Sequence, residues 1–156
     1  DTRNNEGPPS YAEADKEDDE SGKYWMDTSL MTGIFYQRST TKISEVIDGL
    51  SKTYLVGEKY VDSSRYTDNN DRPGDDQCMY LGTDEDINRW AGHFSLGDLV
   101  PVQDEPNFDH EESFGSAHPN ACQFLFCDGS VRLVGYDVDG RAHRQQANRK
   151  DQQVVP

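Results

Sequence analysis

The chain has 156 residues with 30 acidic and 15 basic side chains, a formal net charge of −15 and a hydrophobic fraction of 33%. This length allows one domain with a modest core, and the low hydrophobic fraction predicts that part of the chain is loop or tail. The charge disfavours nucleic acid and anionic membranes as partners, and no stretch is apolar enough to span a bilayer. The chain opens without Met and without a signal peptide, so we expect a further segment upstream of it.

The first third of the chain predicts a short helix between two strands. Residues 1–32 are polar and acidic, and we expect an extended lead-in there. The stretches GIFYQRS at 33–39 and TYLVGEKYV at 53–61 are typical of strands, with Gly57 a candidate bulge. Between them, the apolar residues of TTKISEVIDGL follow an i, i+3, i+4, i+7 spacing, which predicts an amphipathic helix over 40–50.

The middle of the chain, residues 62–112, predicts long irregular loops with one short strand, CMYLG, at 78–82. Calcium takes about six to eight oxygen ligands from flexible loops, so two acidic stretches here are candidate calcium sites, although neither fits the EF-hand pattern. The alternative is that their Asp and Asn residues only initiate turns. The candidate ligands are Asp68, Asn70, Asp71, Asp75, Asp76, Asp84 and Asp86.

Two apolar runs, ACQFLFC and SVRLVGY, flank Asp128-Gly129 and predict a β-hairpin. An Asp-Gly pair between strands favours a type I′ turn, which needs a positive φ at both residues. Side chains alternate along a strand, so Cys122, Phe124 and Phe126 are predicted to share one face and Cys127 to lie on the other.

His118 and Asp128 are candidates for a catalytic triad, with Ser116, Ser130 or Cys127 as the nucleophile. The sequence contains no Gly-x-Ser-x-Gly elbow, and Asp128 already has a sufficient role in the turn. The favoured interpretation is therefore structural, with His118 hydrogen-bonded at the entry to the strand.

The chain contains three cysteines and no Cys-x-x-Cys, which argues against a zinc ribbon or a thioredoxin-like site. Cys122 and Cys127 are predicted to point apart and not to bridge each other. A disulfide between Cys78 and either Cys122 or Cys127 is possible, and the alternative is that all three are buried thiols. The histidines at 93, 110 and 118 match no familiar zinc spacing.

Three blocks in order resemble one bacterial family. They are GIFYQRSTTKISEVIDGLSKTYLVGEKY, GDDQCMYLGTDEDINRW and FGSAHPNACQFLFCDGSVRLVGY, which together cover about residues 33–139. The last block is similar to the closing signature of the prepilin-like H-x(9)-D-G domain family of planctomycete-type bacteria, a domain of unknown function. Its residues here are His118, Asp128 and Gly129. One departure is Asn120-Ala121, where the family usually has a Gly pair.

The resemblance implies the C-terminal part of an exported protein, a pseudopilin-like head that lacks its N-terminal helix. With the residue patterns, it predicts an α+β fold: an antiparallel sheet with a C-terminal β-hairpin, one short helix and long irregular loops. The predicted divisions are an acidic lead-in (1–32), the globular domain (33–139) and a basic polar tail (140–156) that we expect at the surface, with folding back onto the body left open.

We expect a non-catalytic structural or assembly subunit, outside the cell, in the periplasm or at the cell surface, with calcium stabilising it. Its partners would be other protein chains, either the upstream part of the same protein or homologous subunits in an oligomer or filament. It would contact a membrane only through the missing N-terminal helix. An alternative is a calcium-dependent carbohydrate- or surface-binding adhesin that uses Tyr66, Tyr80 and Trp90 as stacking platforms. A hydrolase using His118 is the third alternative.

Overall fold

The computed structural model describes residues 10, 12, 28–67, 74–75, 80, 86–93 and 95–152. Its centre is a three-stranded antiparallel sheet in the order β1-β6-β7. Two small two-stranded pairings, β2 with β3 and β4 with β5, lie in the loop-rich middle of the chain. The strands are β1 (Tyr54–Gly57), β2 (Gly92–His93), β3 (Gly97–Asp98), β4 (Val102–Gln103), β5 (Gly115–Ser116), β6 (Ala121–Phe126) and β7 (Val131–Gly135). The predicted α+β class is confirmed.

One α-helix is complete among the described residues, α1 (Gly140–Ala147). Asp139 caps its start, since the Asp139 carboxylate accepts a hydrogen bond of 2.9 Å from the backbone N–H of Ala142. Two short 3₁₀ turns occur at Ile43–Glu45 and Ser63–Arg65. No helix in the described parts of the chain is long and apolar enough to cross a bilayer.

The predicted helix over 40–50 is wrong. Only the 3₁₀ turn Ile43–Glu45 forms there, and the side chains of Ile43 and Ile47 are exposed. The predicted strand over 33–39 is also wrong, since those residues form turns and bends. A short helix is marginal in water unless its apolar face is buried against a partner, and here Ile43 and Ile47 are not buried.

The predicted surface tail is instead part of the fold. Helix α1 packs on the inner face of the sheet, and its His143 is completely buried. Beyond the helix, the backbone N–H of Arg149 donates to Thr32 O, and its guanidinium donates to Met31 O and Gly33 O. These bonds tie the end of the helix to the first described segment of the chain.

The hairpin is confirmed, and its predicted face pattern with it. Cys122, Phe124 and Phe126 are buried on the inner face, where they form the core with Tyr54 of β1 and Val134 of β7. Burying an aromatic side chain of this kind contributes about 1.5–3 kcal/mol. The core is therefore small and largely aromatic.

The predicted type I′ turn is wrong, because Asp128 does not have a positive φ. Only Gly129 does, at 86°, and its N–H donates to Phe126 O while Phe126 N donates to Ser130 O. These bonds are typical of a type I turn followed by a left-handed glycine in a G1 bulge. The N–H of Asp128 donates to Leu50 O, so the turn is held to the segment before β1.

The bulge in β1 also lies elsewhere than predicted. The pairing of β1 with β6 shifts between Tyr54 and Val56, which places the irregularity at Leu55 rather than at Gly57. Gly57 has a packing role instead. A Cβ atom there would lie 2.5 Å from a ring carbon of Phe124 and 2.7 Å from one of Phe114. Only glycine lets these two rings cover β1.

Candidate functional site

His118 and Asp128 lie at opposite ends of β6. His118 precedes the strand, Asp128 follows it, and the six residues of β6 extend over about 20 Å. The two side chains therefore cannot share a proton. The structure does not bring together the His-Asp pair that a triad would need.

Each member of the signature has a local contact of its own. His118 Nε2 lies 3.6 Å from a carboxylate oxygen of Glu58, and His118 O accepts a hydrogen bond of 2.8 Å from the Tyr136 hydroxyl. Asp128 Oδ1 accepts from both the hydroxyl and the backbone N–H of Ser130. These Ser130 bonds lower the pKa of the Asp128 carboxyl. His118 and Asp128 thus hold the two ends of one strand through separate local contacts.

The residue that departs from the family pattern, Asn120, has a left-handed backbone with φ 71°. Its carbonyl accepts the N–H of Tyr136. Glycine adopts this conformation freely, and Asn is among the few other residues that adopt it readily. Asn120 therefore fits the left-handed backbone of this turn.

Cys122 and Cys127 are free thiols. Burial raises the pKa of Cys122 to about 12 and also raises the pKa of Cys127. Since the thiolate is the nucleophile, these shifts make both thiols less reactive than an ordinary cysteine. Cys78, the predicted disulfide partner, lies outside the described residues.

Of the predicted calcium ligands, only Asp75 and Asp86 are described, and Asp68, Asn70, Asp71, Asp76 and Asp84 lie outside the described residues. The ammonium group of Lys59 joins the two loops. It lies 2.5 Å from Asp75 Oδ1, 3.2 Å from Gly74 O and 3.2 Å from Asp86 O. In the described part of the chain no group of metal-ligating side chains comes together. The ammonium group of Lys59 thus binds these oxygens.

The outer face of the sheet carries a row of exposed apolar side chains. Val56, Leu125 and Val131 are direct neighbours across β1, β6 and β7. Val56 is 52% exposed, Val131 is 61% exposed, and Leu133, two residues further along β7, is 72% exposed. We call these four residues the outer sheet face. Apolar patches of this kind mark protein–protein contact sites.

A groove runs along the other edge of β1, with a volume of about 510 Å³. Its walls come from β1 and the segments 30–39 and 87–92, and its floor includes Phe114 and the end of α1. We call it the edge groove. Sequence patterns did not indicate it, because its walls are far apart in the chain.

The fold and these surfaces define a small α+β domain with an antiparallel sheet, an aromatic core and two apolar surfaces. The chain belongs to the family described as "Protein of unknown function (DUF1559)", whose model matches residues 2–141. No curated protein and no solved structure matches the chain.

Proposed function

We propose that this protein is a non-catalytic structural subunit that assembles with homologous chains through its outer sheet face. The observation that carries the proposal is the apolar row across the outer sheet face, in which Val56 and Val131 are exposed and Leu125 is half-buried, while the inner face of the same sheet is buried under α1. Exposing these side chains is unfavourable unless another surface covers them.

The family assignment is compatible with this role, and the resemblance to prepilin-like proteins supports an exported, pilin- or pseudopilin-like subunit at the cell surface or in the periplasm. The net charge of −15 opposes contact between like chains. Association through an apolar face should therefore strengthen as salt screens that repulsion.

Sedimentation velocity over a range of protein and salt concentrations tests the proposal. We expect concentration-dependent assembly that grows with ionic strength. Leu133→Glu should abolish it without unfolding the protein, because Leu133 is exposed. Phe35→Ala, a matched exposed site away from the outer sheet face, should assemble like the wild type. A protein that stays monomeric under all conditions, or a Leu133→Glu variant that assembles normally, would refute the proposal.

Calcium stabilisation remains part of the proposal, carried by the acidic composition of residues 68–88. A bound ion would raise the melting temperature, with the stabilisation growing as the logarithm of the free ion concentration above its Kd. The melting temperature should therefore fall when EDTA is added and recover with excess calcium. An unchanged melting temperature would argue against bound calcium. The Lys59 ammonium group would then be the positive charge that joins these loops.

A further inference from the structure

We propose that two copies of this chain pair edge to edge through β7, which joins their three-stranded sheets into one continuous antiparallel sheet. This inference rests on the proposed self-assembly and deepens it, because it names the strand that makes the contact and the register in which two copies pair. The outer sheet faces of the two copies would then lie side by side as a single apolar surface.

The first observation is the free edge of β7. This strand lies at the end of the sheet order and pairs only with β6. Hydrogen bonds at the two ends of the hairpin show which backbone groups face β6, since Phe126 N donates to Ser130 O and Tyr136 N donates to Asn120 O. Bonded and non-bonded residue pairs alternate along an antiparallel ladder. Every second residue of β7 therefore turns its N–H and C=O away from β6.

The residues that point outward are Val131, Leu133 and Gly135. The N–H and C=O groups of Val131 and Leu133 have no hydrogen-bond partner among the described residues, and the C=O of Gly135 accepts one bond, from Val138 N. The side chains of Val131 and Leu133 are exposed as well. An edge with such unpaired backbone groups is a template for another strand.

The second observation is the position of the one charged side chain of β7. A charged residue often protects an edge strand from pairing. Here Arg132 is held over the inner face, with its Cζ 4.2 Å from the centre of the Phe126 ring and its guanidinium 3.3 Å from a carboxylate oxygen of Asp128. This charge is therefore compensated within the hairpin, and two such edges can approach although each chain carries a net charge of −15.

The third observation is that the sequence of β7 complements itself. Pairing centred on Leu133 sets Leu133 opposite its own copy and Val131 opposite Gly135, so all the outward residues gain partners. Arg132 then faces Val134. A register centred on Arg132 would place two like charges directly opposite each other, which is destabilising. The edge thus fits a second copy of itself about a two-fold axis, where the same surface serves both partners.

Amide hydrogen exchange of the wild-type protein, followed residue by residue by NMR, tests this pairing at low and at high protein concentration. Added salt screens the repulsion between the chains in both samples. We expect the amides of Val131 and Leu133 to exchange at least about tenfold more slowly at high concentration, because pairing gives them acceptors. The amides of Arg132 and Val134, which face β6, should already be protected at low concentration.

A matched pair of variants tests the role of the backbone. Leu133→Pro removes the outward N–H at the centre of the pairing and keeps the bonds within the hairpin, since proline is tolerated on an edge strand where the N–H faces solvent. Leu133→Ala loses the same side chain and keeps the N–H. In sedimentation velocity, Leu133→Ala should associate at least about tenfold more tightly than Leu133→Pro, because a two-fold pairing loses this hydrogen bond twice.

Two results would overturn the edge pairing and leave the proposed function standing. One is association in which the amides of Val131 and Leu133 exchange as fast as in dilute protein, since packing through the outer sheet face covers side chains and gives these N–H groups no acceptor. The other is equal association of Leu133→Pro and Leu133→Ala. A protein that stays monomeric at every concentration would contradict both proposals. The exchange pattern is measured on the wild type, so it does not depend on the folding of either variant.

Discussion

Acidification should destabilise this protein through one buried histidine. His143 has no solvent exposure, and the rings of Tyr54, Phe124 and Phe114 surround it with centroids 5.3, 5.6 and 5.9 Å away. Its Nδ1 lies 3.2 Å from the Tyr54 hydroxyl, and its Nε2 has no hydrogen-bond partner among the described residues. A charged imidazolium would have only the Tyr54 hydroxyl to compensate its lost hydration.

The size of this destabilisation follows from the pKa of His143. Burial lowers it from 6.5 to about 4. The folded state therefore favours the neutral ring, and the stabilisation is complete above pH 6.5, declines as the pH falls, and is lost below about pH 4. A pKa lowered to this extent corresponds to about 3 kcal/mol of unfolding free energy. That is a large share of the stability of a small domain.

Urea unfolding at pH 7 and at pH 4 measures this loss, and His143→Phe is the comparison that isolates it. Carboxylates titrate in both proteins, so the extra loss in the wild type should be about 3 kcal/mol. Equal losses in the two proteins would refute the reasoning. An NMR titration of the His143 ring with a midpoint near 6.5 would refute it independently of whether the variant folds.

Three further changes probe local packing and charge, each measured by urea unfolding. Gly57→Ala should cost about 2 kcal/mol, because its Cβ would lie within 3 Å of the Phe114 and Phe124 rings; an unchanged midpoint would contradict this packing. Asn120→Val should cost about 1–2 kcal/mol because of the left-handed φ, whereas Asn120→Gly should cost almost nothing; equal losses would be inconsistent with that backbone. Lys59→Met should cost about 1 kcal/mol by removing the Lys59 donor from Asp86 O, since Gly74 O keeps its hydrogen bond from Arg89, and Lys59→Arg should retain part of it; a Lys59→Met variant as stable as the wild type would argue against this role of Lys59.

The hairpin could be predicted because its pattern depends only on residues that are close together in the sequence. Alternating burial depends only on residue parity within β6, and Cys122, Phe124 and Phe126 follow it in the structure. The glycine of the turn was also predictable from sequence. The turn type was not, since the N–H of Asp128 bonds to Leu50 O, and that contact comes from a segment distant in sequence.

The candidate helix over 40–50 and the candidate tail show the opposite case. The segment 40–50 has a helical pattern and the tail has a polar one, and each pattern is locally plausible. Which of the two segments forms a helix depends on which one packs on the sheet. Helix α1 does so by burying His143, a residue whose type does not predict a core position. Ile43 and Ile47, whose spacing is helical, stay exposed in the structure.

The sequence by itself determined the hairpin and the face on which each of its side chains lies, because those features depend on neighbours within a few residues. Only the tertiary structure decided that His118 and Asp128 are separated by a strand and that Lys59 joins the two acidic loops. It also decided that α1 covers one sheet face and leaves the other open. Each of these depends on contacts between residues distant along the chain, whose partners no local pattern specifies.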